Sequence, residues 1–290
     1  MTSLKVAALA LVAVLAVGCS SAATTTPEPL PSPIRPQSFG CTTSAAQGAC
    51  GPYKGYSGIS PTSDIQTPSI GNNVEAPVTG WHQTLYANSP DDWIVTSNMP
   101  AGNTSVVSYP SIAADYGAPK GVYQPTPLTN YSSIYSSFSE NMHASSATDA
   151  WAAYDIWVGV DGCNPSLSTC PSHEIMIQHD FSPHANPECP HVATVPFGGS
   201  GGVPVKDWGL CQYGTELIWQ LPASTSEQSG SVDILAMLTW LENHRYLPSN
   251  SALWAIDYGW EICSTGGVDE NFQVSSFSVT PRLSTRGQTA

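Results

Sequence analysis

Basic residues are scarce in this sequence of 290 residues. Lys and Arg number 8 against 22 Asp and Glu, the formal net charge is −14, and only 10% of the residues are charged. Nucleic-acid binding needs a basic patch that neutralises phosphates, so this balance argues against it. It argues equally against adsorption to anionic lipid. The composition predicts a Gly-, Ser- and aromatic-rich β protein suited to neutral ligands.

The apolar run near the N-terminus is too short to cross a bilayer. Val6–Val17 has twelve apolar residues, whereas a spanning helix needs about 20. Its length fits the apolar part of an export signal. The run leads into Cys19 through a glycine, which resembles a bacterial lipoprotein cleavage box and predicts a signal peptide over 1–18 with lipid on Cys19. Ordinary cleavage near residues 22–23, giving a secreted protein, is the alternative.

Apolar residues are also few in 19–38, which carries five prolines and three consecutive threonines. Such a segment cannot bury enough surface to offset the entropy lost on ordering, so it predicts a tether. The tether would hold a single domain over 39–290 away from the cell surface. We expect an exported monomer that is tied to the membrane only through a lipid on Cys19, or secreted.

An exported chain can form disulfides, and this sequence has eight cysteines. Seven remain if Cys19 is lipidated. The short loops favour the pairs Cys41–Cys50 and Cys163–Cys170, and Cys189–Cys211 is a further candidate. An odd count leaves one thiol, which we expect to be Cys263. The connectivity does not follow from the sequence.

Short runs of β-branched and aromatic residues, separated by turn residues, follow from about residue 41 onward. Strands spaced in this way without intervening helices predict a sandwich or jelly roll. The segment 232–245 differs, because its apolar residues recur with helical spacing, Ser231 stands where a cap would lie, and Pro248 follows. We therefore predict an all-β sandwich with one α-helix. The predicted strands are Trp81–Ala87, Asp92–Thr96, Ser105–Tyr109, Ser133–Ser139, Ala150–Val160, His173–Phe181, Thr215–Leu221, Leu253–Ile262 and Phe272–Thr280.

Polar and apolar residues alternate along 173–179. In a strand, Glu174, Met176 and Gln178 would share one face, while the intervening isoleucines take the other. The isoleucines would pack inside the sandwich. The polar-tipped face would then line a groove.

Two further carboxylates lie within predicted strands, Glu261 late in one and Asp155 in the middle of another. Strand-borne carboxylates among aromatic residues suit glycoside hydrolysis, in which one acts as nucleophile and the other as general acid and then base. Sugars also need flat apolar faces and polar groups for their hydroxyls. The plainer interpretation is that these acids are solvated positions of ordinary strands.

Five short motifs resemble those of glycoside hydrolase family 12 and occur in the family's order over about 70–280. The family's nucleophile strand is similar to His173-Glu174-Ile175-Met176-Ile177-Gln178, and its acid/base segment is similar to Gly259-Trp260-Glu261-Ile262-Cys263. A family strand whose Asp supports the nucleophile is similar to Ala153-Tyr154-Asp155-Ile156-Trp157. The start of the family's Asn-Asn-x-Trp-Gly segment resembles Asn72-Asn73, and another family strand resembles Ser108-Tyr109-Pro110.

This resemblance implies a concanavalin-like β-jelly roll with a concave cleft. It implies retaining endo-hydrolysis of β-1,4-linked glucan or xyloglucan, without metal or cofactor. Glu174 would be the nucleophile, Glu261 the acid/base, and Asp155 a hydrogen-bond partner of the nucleophile. Asn73 and Met176 would lie in the sugar subsites. Retention implies carboxyl groups about 5–5.5 Å apart.

Several positions depart from the family pattern. Glu75 and Gln178 stand where the family has tryptophans of the cleft, and His173 replaces a tyrosine. Ile262 and Cys263 replace Pro and Phe after the acid/base. Loss of stacking surfaces with both carboxylates kept predicts the same chemistry on an altered substrate, or a slow or decayed enzyme.

Other interpretations stay open. A lectin-like binding protein on the same sandwich would keep a groove without turnover, and a structural envelope lipoprotein would bind no sugar. Transglycosylation would follow if a sugar intercepted the glycosyl-enzyme. His and Cys side chains over 179–191 are possible zinc ligands, but they match no zinc spacing, and a polar loop is the plainer interpretation. We expect four tryptophans to lie in the core rather than to stack on sugars: Trp151, Trp157, Trp240 and Trp254.

Overall fold

The computed structural model of the protein describes residues 69–74, 79–115, 125–162, 172–185 and 189–284. The predicted signal peptide and tether lie outside the described residues, as do Glu75 and the predicted pairs Cys41–Cys50 and Cys163–Cys170. Within the described ranges, no helix is long and apolar enough to cross a membrane.

Two β-sheets form a sandwich. The elements are β1 Ser69–Gly71, β2 His82–Ser89, β3 Asp92–Asn98, β4 Ser111–Asp115, β5 Thr126–Pro127, β6 Tyr131–His143, β7 Asp149–Val160, β8 His173–Phe181, β9 Ala193–Phe197, β10 Lys206–Tyr213, β11 Glu216–Gln220, β12 Ser229–Asp233, α1 Ile234–Asn243, β13 Ser251–Ser264 and β14 Glu270–Leu283. The larger sheet, here called the cleft sheet, has the order β1-β4-β13-β7-β8-β11-β10-β9, with β5 also paired to β13. The smaller sheet has the order β12-β6-β14-β3-β2.

The hydrophobic core lies between the two sheets. Ile175 and Ile177 of β8 have no exposed surface and belong to this core, together with Tyr154 of β7 and Trp219 of β11. These residues take the inner face of their strands, while the intervening residues, among them Asp155, Met176 and Ile218, take the opposite face. The prediction of an all-β jelly roll with a concave cleft and one helix is confirmed.

The helix α1 lies inside the predicted segment 232–245, but its cap differs from the prediction. The carboxylate of Asp233 accepts a hydrogen bond from the Ala236 amide at 3.1 Å. Ser231 is instead part of β12, paired with Ser137 of β6. Because Ser231 is paired within the sheet, the helix begins later, and the side chain of Asp233 caps it.

One predicted strand is wrong. In 105–109 only Ser108 makes β-bridges, to Val74 and to Ile262. The Ser108 hydroxyl donates to the Asn73 carbonyl at 2.8 Å and contacts the Gln83 side-chain oxygen at the same distance. Side-chain bonds of this kind compete with a regular ladder, which leaves the segment irregular.

Two cysteine predictions have opposite outcomes. Cys189 and Cys211 form a disulfide, with their Cα atoms 6.1 Å apart. The expectation of a free Cys263 is wrong, because Cys263 is disulfide-bonded.

Candidate active site

Strand register brings the predicted catalytic residues to one face of the cleft sheet. Asp155 of β7 pairs with Met176 of β8 on one side and with Asp257 of β13 on the other. Paired residues of antiparallel strands project to the same face. By the same pairing, Glu174 lies opposite Trp157 and Glu261 lies opposite Trp151. The face therefore carries all three predicted catalytic carboxylates, as well as Asp257.

The carboxylates of Asp155 and Glu261 are largely withdrawn from solvent. Their residues are 7% and 9% exposed, whereas Glu174 is half-buried near the start of β8. Glu261 accepts a hydrogen bond from the indole N–H of Trp151. The bond holds one carboxylate oxygen in place.

A phenol lies among these acids. Tyr109 is buried and contacts the Ala153 carbonyl at 3.2 Å through its hydroxyl. Burial raises the pKa of Tyr109 well above its ordinary value, and four carboxylates add to the rise. They are, in decreasing order of effect, Asp155, Asp257, Glu261 and Glu174. Tyr109 is therefore a neutral donor within the field of all four acids.

The register also measures the offset between the two glutamates. Glu174 is level with Trp157 and Glu261 with Trp151, which are six positions apart on β7. Six residues of straight strand span about 20 Å. Both glutamates nevertheless contribute to the raised pKa of Tyr109, so both carboxylates lie near that phenol and the straight-strand span overstates their separation. Asp257 is level with Asp155 in the same register. Asp257, which sequence reasoning missed, is thus a second candidate for the acid/base.

Met176 and Gln178 share this face but lie beneath other side chains. They are 2% and 0% exposed, and the Gln220 amide donates to the Gln178 side-chain oxygen at 2.6 Å. Met176 belongs to a second apolar group, the floor cluster, outside the main core. The floor cluster consists of Val106, Trp151, Ala153, Met176, Cys211, Ile218 and Cys263. Phe181, Ala185 and Cys189 pack over it, so this part of the floor is covered.

Two of the candidate zinc ligands are bridged cysteines. Cys189, His191 and Cys211 have donor atoms within 4.8 Å of one another, but the two sulfurs are joined in a disulfide and are not thiolates. His179 is fully buried and its Nδ1 lies 2.9 Å from the Glu227 carbonyl. The His191 ring lies against Gly209 of β10, where any side chain would collide with it.

Asn73 lies at the edge of the cleft sheet. Its carbonyl accepts from the Tyr109 amide at 3.0 Å, and its side chain is 3.4 Å from the Ser111 hydroxyl. The residue therefore lies next to the segment that carries Tyr109. Its role in a sugar subsite stays a prediction.

Two of the tryptophans expected in the core project to the cleft face, where Trp151 is nevertheless buried, with 3% of its surface exposed. Trp151 belongs to the floor cluster and bonds Glu261, and Trp157 is half-buried opposite Glu174. Their even spacing from Asp155 in the sequence was the signal for this position, because a strand alternates its side chains with period two. Trp157 is thus the aromatic surface nearest in register to Glu174.

The sandwich is a jelly roll whose cleft face carries several carboxylates. Among solved structures, the xyloglucanase domain of a type three effector from Sinorhizobium fredii, in complex with cellobiose, is 25% identical with a TM-score of 0.56. The match covers 78% of this chain and 100% of that one. A family 12 xyloglucanase from Bacillus licheniformis is 24% identical with a TM-score of 0.59, covering 76% and 95%.

Endoglucanase S of Pectobacterium parmentieri is 24% identical over 196 residues, which is 66% of this chain and 73% of that protein. No family model matches the sequence. The resemblance to glycoside hydrolase family 12 is confirmed by these relatives.

Proposed function

We propose that this protein is a retaining endo-β-1,4-glycanase that hydrolyses β-glucan-type polysaccharide, cellulase-like or xyloglucanase-like, by double displacement. The observation that carries the proposal is the placement of Glu174, Asp155 and Glu261 on one face of the cleft sheet. Its relatives include xyloglucanases and an endoglucanase. The site needs no metal or cofactor for this chemistry.

In this mechanism Glu174 attacks the anomeric carbon and forms a glycosyl-enzyme. Glu261 protonates the leaving oxygen and then removes a proton from the attacking water. The Trp151 indole holds the Glu261 carboxylate in place. Asp155, on the strand between the two glutamates, hydrogen-bonds and orients Glu174. Trp157 offers a flat face for a sugar ring beside Glu174.

The test is product release from mixed-linkage β-glucan, xyloglucan and carboxymethylcellulose. Wild type is compared with Glu261→Gln and with Asp257→Asn, which lies on the same strand and face. We expect Glu261→Gln to lose turnover of these unactivated substrates while Asp257→Asn retains it. Loss only in Asp257→Asn would move the acid/base role to that residue. A folded wild type without product on any glucan would reject hydrolysis in favour of a lectin-like binder.

Trp151→Phe is expected to lower kcat on the preferred glucan by about tenfold or more. A hydrogen bond to a charged group contributes about 1.5–3 kcal/mol, and the phenyl ring keeps the apolar contacts without the N–H. The control is Trp219→Phe, which removes an equally buried indole whose nitrogen makes no hydrogen bond to the described residues. If both variants lose the same activity, packing rather than the Glu261 bond is responsible.

We also propose that the chain is exported and anchored by a lipid on Cys19, through the tether over 19–38. The composition of both segments supports this. Globomycin-sensitive processing and mass spectrometry of the mature N-terminus test it, with Cys19→Ala as the variant. An unmodified terminus near residues 22–23 would show ordinary secretion instead.

A further inference from the structure

A third glutamate lies beside the predicted nucleophile. Glu216 of β11 is the register partner of Glu174 in the parallel β8–β11 pair. The Glu174 amide donates to the Thr215 carbonyl at 3.2 Å, which ties the two strand starts together. Register partners on adjacent strands share a face and lie about 5 Å apart. The Glu216 side chain therefore belongs to the cleft floor next to Glu174.

The surroundings of Glu216 are apolar. The next residue of β11 on the same face is Ile218 of the floor cluster, and Tyr213, the β10 partner of Glu216, packs against that cluster. Glu216 is only 9% exposed, and it makes no side-chain hydrogen bond to another described residue. Its carboxyl oxygens are not among the described polar atoms that are fully buried without a hydrogen-bond partner. The group is therefore largely desolvated, unpaired, and in contact with the cleft.

A carboxyl placed in this way lacks the partners that normally offset burial. A polar ligand would supply them. The proposed substrate is rich in hydroxyl groups, each of which can accept or donate a hydrogen bond. A ring held against Glu174 would bring its hydroxyls within reach of the neighbouring strand.

We propose that Glu216 is a further substrate-contacting residue: in its protonated form it donates a hydrogen bond to a hydroxyl of the sugar ring held against Glu174. The proposal rests on the proposed function and adds a specificity-determining contact to it. Ionised Glu216 would lose this donor and repel the negative charge of Glu174.

The electrostatics agree with this role. Burial raises the pKa of Glu216 to about 7, so the group is protonated below neutral pH and ionised above it. The titratable groups at its register positions are Glu174 on β8 and Tyr213 on β10. No cation occupies these positions, so neither neighbour favours the ionised form.

The experiment measures kcat/KM on the preferred soluble glucan at pH 6 and pH 8 for wild type, Glu216→Gln and Asp91→Asn. Gln keeps an N–H donor and cannot ionise. Asp91→Asn makes the same charge change on an exposed turn of the smaller sheet. For a group with a pKa near 7, about nine-tenths of wild-type molecules are ionised at pH 8. The wild type and Asp91→Asn should therefore lose about fivefold or more activity relative to Glu216→Gln between the two pH values.

Equal pH dependence in wild type and Glu216→Gln would overturn the proposal. Circular dichroism of each protein at both pH values checks that the proteins stay folded. Unfolding of the wild type at pH 8 as the cause of its lost activity would also overturn the proposal. If wild type releases no product, the proposed function fails, and calorimetric binding of cellotetraose at both pH values decides separately on Glu216. Weaker binding by wild type at pH 8, absent in Glu216→Gln, supports the contact. Binding that is equal in both proteins, or lacking in both, rejects it.

Discussion

Glu174→Gln is expected to lower kcat for glucan hydrolysis by at least about 1,000-fold. The amide has nearly the shape of the carboxylate but cannot attack the anomeric carbon, so the covalent route is lost rather than weakened. Glu174 is half-buried at the edge of the floor, and the substitution leaves the core behind β8 untouched. The effect is measured as the release of reducing ends from the preferred glucan by purified protein. The protein concentration is determined by a method that does not depend on the active site.

The control for Glu174→Gln is Asp161→Asn, which removes one negative charge from the exposed turn after β7. It should retain wild-type kcat within about twofold. A small-nucleophile test sharpens the result: azide is expected to restore turnover of an activated aryl glycoside by Glu174→Ala, because it occupies the space of the lost side chain. Substantial glucan hydrolysis by Glu174→Gln would exclude this residue as nucleophile.

Glu140→Gln is expected to stabilise the protein at neutral pH. Glu140 of β6 is 4% exposed in the core, beside Asp180 and the indole of Trp260. Burial raises the pKa of Glu140 from 4.5 to about 10, and the Asp180 carboxylate adds to the rise. The folded protein therefore keeps this proton while the unfolded chain releases it above about pH 4.5. The free energy of unfolding falls as the pH rises from there towards 10.

At pH 7 this difference corresponds to about 3 kcal/mol, since each pKa unit is about 1.4 kcal/mol. Gln stays neutral at every pH, so its advantage should be near zero at pH 4 and reach about 3 kcal/mol at pH 7. Denaturant unfolding at both pH values measures it. The control is Glu270→Gln in the adjacent strand β14. Glu270 is equally buried but accepts a hydrogen bond from the Ser145 amide at 3.0 Å. The Glu270→Gln protein should therefore be less stable than wild type. A constant effect of Glu140→Gln at both pH values would contradict the account.

Much of the fold follows from side-chain period. The strand predicted over 173–181 has the bounds of β8, because its alternation is unbroken and both faces are bounded by polar residues. Five strands of the cleft sheet were not predicted: β1, β4, β5, β9 and β10. In β10 the face that carries Gly209 and Cys211 is covered by His191 and Cys189. The small residues of this face would indicate a solvent-exposed side, but the face is buried. Such covering depends on a distant loop and leaves no local signal.

The candidate site shows the same division. Alternation alone placed Glu174, Met176 and Gln178 on one face, as the register shows. Exposure was not predictable in the same way. Met176 is buried within the floor cluster, against which Ala185 and Cys189 pack, and Gln178 is buried beside Gln220. These are tertiary contacts. Asp257 was overlooked because only the pairing of β13 with β7 makes it level with Asp155.

The most direct test of the central claim is the configuration of the first product. Proton NMR follows the anomeric signals as wild type cleaves a soluble cello-oligosaccharide, before mutarotation mixes the anomers. Double displacement through Glu174 predicts that the β anomer appears first and that Glu174→Gln produces neither anomer at a comparable rate. The α anomer appearing first would show a single inverting displacement and would contradict the assignment of Glu174 as nucleophile.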